Sequence, residues 1–254
     1  MNKLVTVIIS TYNMARFLEE SIESVLKQSY SNIELIIVDD DSKDKTQEIL
    51  IKYKNNKKIK IIKQEHLGKL LAIKRALEIA RGELITIHDA DDTLPRESIK
   101  KRAEFLLKNP GVLAVYGDAS CMDIKGKAYK IRKSKQINAE KDLLGAFRSP
   151  IVGTTLMFRN QVLTDIKKLK NAFDGADDLY LKIRLYQNGK LVYLPFIFLN
   201  YRKYPRKNQI FRRFVILYNV LRVTWIYSRE GNKFVYLFKE LFFHVYKILR
   251  NLFS

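Results

Sequence analysis

The first third of the chain alternates between short apolar runs and longer segments whose apolar residues recur every three or four positions. Runs such as "LVTVIIS" are typical of strands that are buried on both faces, and the longer spacing is typical of helices that pack one face on a sheet. Strands are predicted at 4–10, 34–39, 59–63 and 83–89, with helices at 15–28, 43–56 and 69–82. Strands separated by helices predict an α/β fold, a Rossmann-like and mostly parallel sheet flanked by helices.

The second half of the chain has a weaker pattern. A helix is predicted at 95–109 with Pro95 near its first turn. Further predictions are a strand at 112–118, a basic loop or hairpin at 125–135 and a strand at 152–159. Because no repeat or low-complexity linker interrupts this part, we expect one domain over 1–204 and a helical tail over 205–254.

Polar clusters follow three of the predicted strands. They read "STYN" at 10–13, "DDDS" at 39–42 and "HDADD" at 88–92. Open α/β sheets bind their ligands beyond the carboxyl ends of parallel strands, so these clusters are expected at one binding edge. The alternative is that these side chains only cap the helices that follow.

The third cluster contains Asp89, Asp91 and Asp92 within four positions. Carboxylates this close repel each other unless a cation lies among them. Mg²⁺ and Mn²⁺ prefer oxygen ligands and combine one or two carboxylates with substrate phosphates. The cluster therefore predicts a site for Mg²⁺ or Mn²⁺.

Two long stretches resemble a known family. The segments "VTVIISTYNMARFLEESIESVLKQSYSNIELIIVDDDSKDKT" at 5–46 and "GKLLAIKRALEIARGELITIHDADD" at 68–92 are similar to the opening blocks of the family 2 glycosyltransferases. The resemblance implies the GT-A fold and a nucleotide-diphospho-sugar donor, with uridine as the expected base. It also implies a divalent metal.

The resemblance also implies roles for individual residues. Polar side chains of the first two clusters would bind the nucleotide, and those after 68 would bind the diphosphate and the metal. The expected roles are Ser10 and Tyr12 in the nucleotide pocket, Asp39 facing the base, Lys69 on the pyrophosphate, Asp89 near the donor sugar or ribose, and Asp91 on the metal.

The segment "FDGADDLYLKIRLYQNGKLVYLP" at 173–195 resembles the family's Glu-Asp segment, with Asp177 and Asp178 in place of Glu-Asp. The resemblance favours Asp178 as the catalytic base, because a sugar hydroxyl becomes a good nucleophile only as its proton is removed. A single in-line displacement of this kind inverts the anomeric centre. The alternative is that Asp178 only caps a helix.

The chain departs from the family pattern at two further places. Many members have Ala-Arg-Asn where this chain has Ala72-Ile73-Lys74, so Lys69, Lys74 or Arg75 would have to supply the missing charge. Tyr204 stands where members often carry a histidine that helps to bind the metal. The spacing of the three histidines indicates no zinc site, and each is expected to have a local structural role.

The motifs do not explain the excess positive charge of the chain, which is concentrated near its C-terminal end. The formal net charge is +20, and residues 201–254 contain 12 Lys/Arg against 2 Asp/Glu. Residues 233–254 also place apolar side chains on one helical face, from Phe234 to Leu252. This tail is expected either to pack on its own domain or to lie on an anionic membrane.

Composition sets the remaining expectations. Hydrophobic residues make up 47% of the chain, which predicts a folded core, and the single cysteine, Cys121, suits a reducing compartment. The apolar runs are too short for a signal peptide or a membrane-spanning helix. We therefore expect a cytoplasmic protein, peripheral on the inner face of the membrane.

The acceptor expected for such an enzyme is a glycan or a lipid-linked saccharide. Three alternatives stay open at this point: sugar transfer to a polyprenyl phosphate, binding of a sugar nucleotide without turnover, and binding of nucleic acid through the excess positive charge. Nucleic-acid binding is disfavoured because the chain has no recognisable nucleic-acid-binding motif and its positive charge is densest in an apolar tail.

Overall fold

A computed structural model of the chain describes residues 2–138, 151–152, 154–160 and 177–204. The strands are β1 Val5–Thr11, β2 Ile33–Asp39, β3 Ile59–Lys63, β4 Leu84–Asp89, β5 Val112–Met122, β6 Ala128–Arg132, β7 Met157–Arg159 and β8 Lys190–Arg202. The helices are α1 Ala15–Leu26, α2 Thr46–Ile51, α3 Lys69–Ile79, α4 Ser98–Lys108 and α5 Asp177–Asn188.

All the described strands form one sheet in the order β3-β2-β1-β4-β7-β5-β6, and β8 pairs with β5. Neighbouring strands from β3 to β4 are parallel, and β5 is parallel to β8. Only β6 and β7 run against their neighbours in this part of the chain. The prediction of an α/β fold with a mostly parallel sheet is confirmed.

Helices cover both faces of the sheet because successive strand residues point to opposite sides. On one face Ile8 of β1 packs in a core with Ile73 of α3 and Leu181 of α5. On the other face Ile9 packs with Ile22 of α1 and Ile99 of α4. The two apolar cores leave the strand ends as the places where polar side chains can meet.

The second helix is shorter than the predicted 43–56 and begins at Thr46. The residues before it are held by the loop that follows β1: the Lys43 N–H donates to Asn13 Oδ1 at 2.7 Å, and the Ala15 N–H donates to Asp44 Oδ2 at 3.0 Å. These bonds fix the residues before Thr46 in a non-helical loop. They also tie the carboxyl ends of β1 and β2 together.

The fourth helix begins at Ser98, three residues after the predicted start at Pro95. Gln28 Nε2 donates to the Pro95 carbonyl at 2.9 Å, and the Ser29 N–H donates to the Arg96 carbonyl at 3.0 Å. The carbonyls of Pro95 and Arg96 are therefore engaged by the two residues Gln28 and Ser29 that follow α1. Proline was correctly expected near the start, although it lies outside the helix.

Strand β8 was not predicted, and strands β5 and β7 differ in length from the predictions. Strand β5 extends to Met122 because β8 pairs along it, whereas β7 is reduced to Met157–Arg159. Pro195 lies inside β8, where a missing N–H breaks a regular ladder. The register accordingly jumps between Tyr116↔Tyr193 and Asp118↔Ile197.

The predicted tail at 205–254 lies outside the described residues. Among the helices that are described, none combines the length and the apolar character needed to cross a membrane.

Candidate functional site

The carboxyl ends of β1, β2 and β4 bring the three polar clusters together. Ser10 on β1 is the register partner of Asp89 on β4, and Thr11 is the partner of Asp39 on β2. These pairings follow from parallel strands that end at the same edge of the sheet. The juxtaposition expected from the sequence is therefore present, with Ser10 between the second and third clusters.

Asp39 is fully buried at this edge, and both of its carboxylate oxygens are engaged. Oδ1 accepts the Ser42 N–H at 3.1 Å, and Oδ2 accepts a hydrogen bond from Gln47 Nε2. These contacts satisfy the buried carboxylate and fix its orientation. Gln47 lies in α2, so the start of that helix also determines how Asp39 is held.

Asp40 and His66 form a second part of the edge, and neither was given an individual role in the site from the sequence. Asp40 Oδ1 accepts the Leu67 N–H at 2.9 Å, and Oδ2 lies 2.8 Å from His66 Nδ1. The His66 ring stacks on Tyr12 with centroids 4.0 Å apart. Tyr12 is 39% exposed, so the pair offers a flat aromatic surface beside Asp39.

The aspartate cluster follows β4 immediately. Carboxylate oxygens of Asp89, Asp91 and Asp92 all lie within 4.8 Å of one another. Lys69, at the start of α3, forms an ion pair with Asp89 Oδ1. Of the three basic residues considered as replacements for the family's arginine, Lys69 thus contacts the acidic cluster directly.

Asp92 is the most buried member of this cluster. Its Oδ1 accepts the Arg202 N–H at 2.8 Å, while its Oδ2 is buried without a hydrogen-bond partner among the described residues. Burial, with the charges of Asp89 and Asp91, raises the pKa of Asp92 well above its ordinary value. An unmatched carboxylate oxygen beside two further carboxylates fits a divalent cation, which prefers oxygen donors.

The neighbouring His88 has no place in that donor set. Its side chain is buried, and burial lowers its pKa to about 4, so the ring is neutral near pH 7. The group of described residues that could share a metal ion consists of Asp89, Asp91 and Asp92 and contains no histidine.

Arg202 on β8 holds the backbone of the cluster in place. Its side chain is only 2% exposed, and its Nε donates to the Asp91 carbonyl at 2.8 Å. The same guanidinium pairs with Glu20 on α1 and donates to the Ile124 carbonyl at 3.1 Å. Arg202 therefore ties the aspartate turn to α1 and to the turn between β5 and β6.

Tyr204, two residues further on, reaches the same cluster. Its hydroxyl donates to Asp91 Oδ2 at 2.8 Å, and its ring packs against Phe17 with centroids 5.1 Å apart. The position that departs from the family pattern thus contacts the expected metal ligand itself. A phenol here orients the Asp91 carboxylate where a histidine ring would offer a nitrogen donor.

Asp178 is the second residue of α5 as that helix is described. Its carboxylate is half exposed, and Oδ2 accepts a hydrogen bond from Lys182 Nζ at 2.7 Å. The partial loss of water around the Asp178 carboxyl would by itself raise its pKa. The Lys182 ammonium outweighs it, so the pKa lies below its ordinary value.

Lys69, Asp178 and Lys182 line one cleft between α3 and α5. The cleft has an otherwise largely apolar wall that includes Ile87 and Phe158. Since Lys69 also contacts Asp89, this cleft connects the aspartate cluster to Asp178. Residues more than eighty positions apart in the sequence therefore belong to one candidate site.

Comparison with known proteins gives the same family from independent evidence. Residues 6–166 match the family model described as glycosyl transferase family 2. An uncharacterized glycosyltransferase of Haemophilus influenzae is 35% identical over 138 residues, which cover 53% of this chain and 55% of that protein. The Escherichia coli UDP-Glc:alpha-D-GlcNAc-diphosphoundecaprenol beta-1,3-glucosyltransferase WfgD is 34% identical over 116 residues, which cover 45% of each protein. The chain thus spans about half the length of these relatives.

Solved structures share the fold. The mannosyltransferase PcManGT from Pyrobaculum calidifontis, in complex with GDP-Man and Mn²⁺, gives a TM-score of 0.67 at 22% identity and covers 96% of this chain and 70% of that one. S. aureus TarS 1-349, in complex with UDP-GlcNAc, gives 0.65 at 20% identity and covers 86% and 66%. The expected GT-A fold is confirmed, and because the family model spans more than half of the sequence, the chain belongs to glycosyl transferase family 2.

Proposed function

We propose that the chain is an inverting, metal-dependent glycosyltransferase. It would take a sugar from a nucleotide-diphosphate donor, a UDP-sugar, and pass it to a glycan or a lipid-linked saccharide. The observation that carries the proposal is the position of Lys69, which contacts Asp89 and shares a cleft with Asp178. The ammonium of Lys69 thus connects the aspartate cluster, which is suited to binding a metal and a diphosphate, with Asp178, whose carboxylate is suited to removing a proton.

The nucleotide would bind at the ends of β1 and β2. The exposed Tyr12 ring, stacked on His66, offers a face for a base or ribose. Asp39 and Ser10 lie beside it, and a carboxylate oxygen can accept the N–H of uracil. Both Asp39 oxygens already accept hydrogen bonds, from Ser42 and Gln47, so a base would share or replace the bond from Gln47.

The diphosphate would bind between Lys69 and the aspartate cluster. Asp91 is the proposed metal ligand, and Asp89 would contact the donor sugar or ribose. Mg²⁺ or Mn²⁺ held there would stabilise the negative charge of the departing diphosphate. Lys69 would pair with the phosphates in place of Asp89, because an ammonium is a mobile point charge on a flexible stem.

Asp178 would remove the proton of the acceptor hydroxyl. Its carboxylate is half exposed, so an acceptor can reach it, and the adjacent ammonium of Lys182 keeps it ionised. An ionised carboxylate at one side of the cleft and a metal site at the other suit a single in-line displacement. Such a displacement inverts the anomeric centre.

Two observations support a lipid-linked saccharide as the acceptor and the membrane surface as the location. The E. coli relative is named for transfer to a diphosphoundecaprenol-linked sugar. The strongly basic tail over 205–254 would bring the enzyme to the inner face of an anionic membrane, with 1–204 as the catalytic domain. We therefore place the enzyme in the cytoplasm as a peripheral membrane protein.

A panel of sugar nucleotides tests the proposal directly. We expect Mn²⁺-dependent or Mg²⁺-dependent release of the nucleoside diphosphate from one UDP-sugar, and faster release when a saccharide acceptor is added. Binding of a donor without release would instead indicate a non-catalytic sugar-nucleotide-binding protein. Transfer to a polyprenyl phosphate alone would favour that acceptor over a hydroxyl.

The Asp178–Lys182 pair predicts a specific pH dependence. Asp178 must be ionised to accept a proton, so activity falls as the pH drops through its lowered pKa. In Lys182→Met the stabilising charge is gone, while burial and the ammonium of Lys69 remain. The pKa of Asp178 then rises, and the acidic limb of the kcat/KM profile should move to higher pH.

Lys182→Arg is the matched control, since it keeps a positive charge one helical turn from Asp178. Its acidic limb should stay close to that of the wild type. An unchanged limb in Lys182→Met, with the protein folded, would mean that this pair does not determine the ionisation of the base.

A further inference from the structure

The hairpin formed by the end of β5 and β6 is a strongly basic described surface that the proposed reaction does not use. Residues 125–135 contain six Lys or Arg and no Asp or Glu. Apart from the half-buried Arg132 these cations are exposed, and none of the six forms an ion pair in the described part of the chain. Their charge is therefore available to an external partner.

The same hairpin exposes two large apolar side chains. Tyr129 is 57% exposed and Ile131 is 52% exposed. Alternation along β6 places both on one face of the strand, while Lys130 and Arg132 point to the other. Lysines on an edge strand also prevent pairing with other chains, but that role does not account for an exposed tyrosine–isoleucine pair.

The hairpin is a fixed element. The Lys125 and Lys127 N–H groups both donate to Asp123 Oδ1 at 2.9 Å, and Gly126 adopts a φ of 84° that closes the turn. One oxygen of the Asp123 carboxylate is thus used within the turn. Strand β6 pairs with β5 from Ala119 to Met122.

The hairpin also lies at the candidate site. Arg202 donates to the Ile124 carbonyl with one nitrogen and to the Asp91 carbonyl with another. Strand β5 ends at the same edge of the sheet as the parallel strand β4, which carries Asp89. A partner bound to the hairpin would therefore be close to the aspartate cluster.

We propose that the β5–β6 hairpin is a docking surface for an anionic lipid bilayer. Binding through the hairpin would turn the carboxyl ends of the parallel strands toward the membrane. The lysines at the turn, Lys125 and Lys127, would face phosphate headgroups, and Tyr129 with Ile131 would enter the boundary between headgroups and acyl chains. Lys130, on the opposite face of the strand, would add to the long-range attraction of the hairpin for an anionic surface. The choice of a bilayer over other polyanions rests on the lipid-linked acceptor of the proposed function. It is favoured further by Ile131, since an aliphatic side chain gains nothing from a nucleic-acid backbone.

Cosedimentation of the full chain tests the surface, using vesicles of equal parts phosphatidylcholine and phosphatidylglycerol and vesicles of phosphatidylcholine alone. We expect binding to the anionic vesicles that weakens with added salt. The triple variant Lys125→Glu, Lys127→Glu, Lys130→Glu should bind at least about a hundredfold more weakly, given the contribution of each cation near an anionic surface. Tyr129→Ser with Ile131→Ser should weaken binding at high salt as well.

A matched control is available at the opposite end of the sheet. Lys54, Lys57 and Lys58 are exposed and precede β3, so changing them to Glu alters the net charge equally but away from the hairpin. The control should retain most of the binding. Equal losses in both triple variants, hairpin variants that bind like the wild type, or no wild-type binding would each overturn the proposal. So would hairpin-dependent binding of duplex DNA in place of vesicles.

The outcome is separable from that of the proposed function. Vesicle binding needs no donor, and hydrolysis of a soluble UDP-sugar needs no membrane. Loss of binding with intact hydrolysis in the hairpin variant supports the docking surface. A wild type that hydrolyses the donor but does not bind vesicles overturns the docking surface alone.

Discussion

Replacement of Asp91 by alanine is expected to abolish turnover and metal binding together. The carboxylate lies in a cluster whose oxygens are within 4.8 Å of one another, and it accepts a hydrogen bond from Tyr204 that fixes its direction. Metal stabilisation of a leaving group contributes several kcal/mol, so the rate should fall by at least about a thousandfold. Donor hydrolysis measures the rate, and titration of Mn²⁺ followed by its electron paramagnetic resonance signal measures the binding.

Glu97→Ala is a suitable control for this experiment. It removes a half-exposed carboxylate just before α4 that pairs loosely with Lys100, at 3.8 Å, and has a hydrogen bond with Ser29. Both the rate and the Mn²⁺ titration should match the wild type. Full activity of the wild type in EDTA, or normal Mn²⁺ binding by Asp91→Ala, would show that the cluster is not the metal site.

Much of the fold and the placement of Ser10, Asp39 and Asp89 could be predicted from the sequence. Parallel strands of similar length must end at one edge, so polar residues directly after each apolar run meet there without further information. The register partners Ser10 and Asp89 are an instance. Local patterns are sufficient when the geometry follows from the regularity of the sheet.

The start of α2 could not be predicted in this way. The residues before Thr46 have acceptable helix propensity, but the loop after β1 competes for their hydrogen bonds. A tertiary contact therefore determines where the helix begins, and propensity gives only a weak preference. The same competition, with Gln28 as the partner, moves the start of α4 to Ser98.

Some of the contacts that support the site could be predicted from the sequence, and others could not. Lys182 lies four residues after Asp178, a spacing that predicts an ion pair on one helix face, and it could have been found from the sequence. The contacts of Arg202 and Tyr204 with the aspartate turn join residues more than a hundred positions apart. Those contacts depend on β8. Its apolar run is interrupted by Pro195, so the sequence pattern does not predict a strand there.

Replacement of Asp178 by asparagine gives the second large effect that we expect. An amide has nearly the shape of the carboxylate but cannot accept the proton of the acceptor hydroxyl. General-base catalysis contributes about a hundredfold to ten-thousandfold, so kcat should fall by about a thousandfold. Donor binding should persist, because the proposed donor contacts come from the strand ends and Lys69.

Measurement of donor affinity by calorimetry, together with kcat for transfer, separates these two effects. Asp177→Asn is the matched control: it makes the same chemical change at the adjacent position and should transfer normally. If Asp177→Asn is the inactive variant, the base is the neighbouring residue, and if both variants transfer normally, the site uses no aspartate of α5 as its base. Normal transfer to a polyprenyl phosphate by Asp178→Asn would identify a phosphate nucleophile, which is already ionised and needs no base.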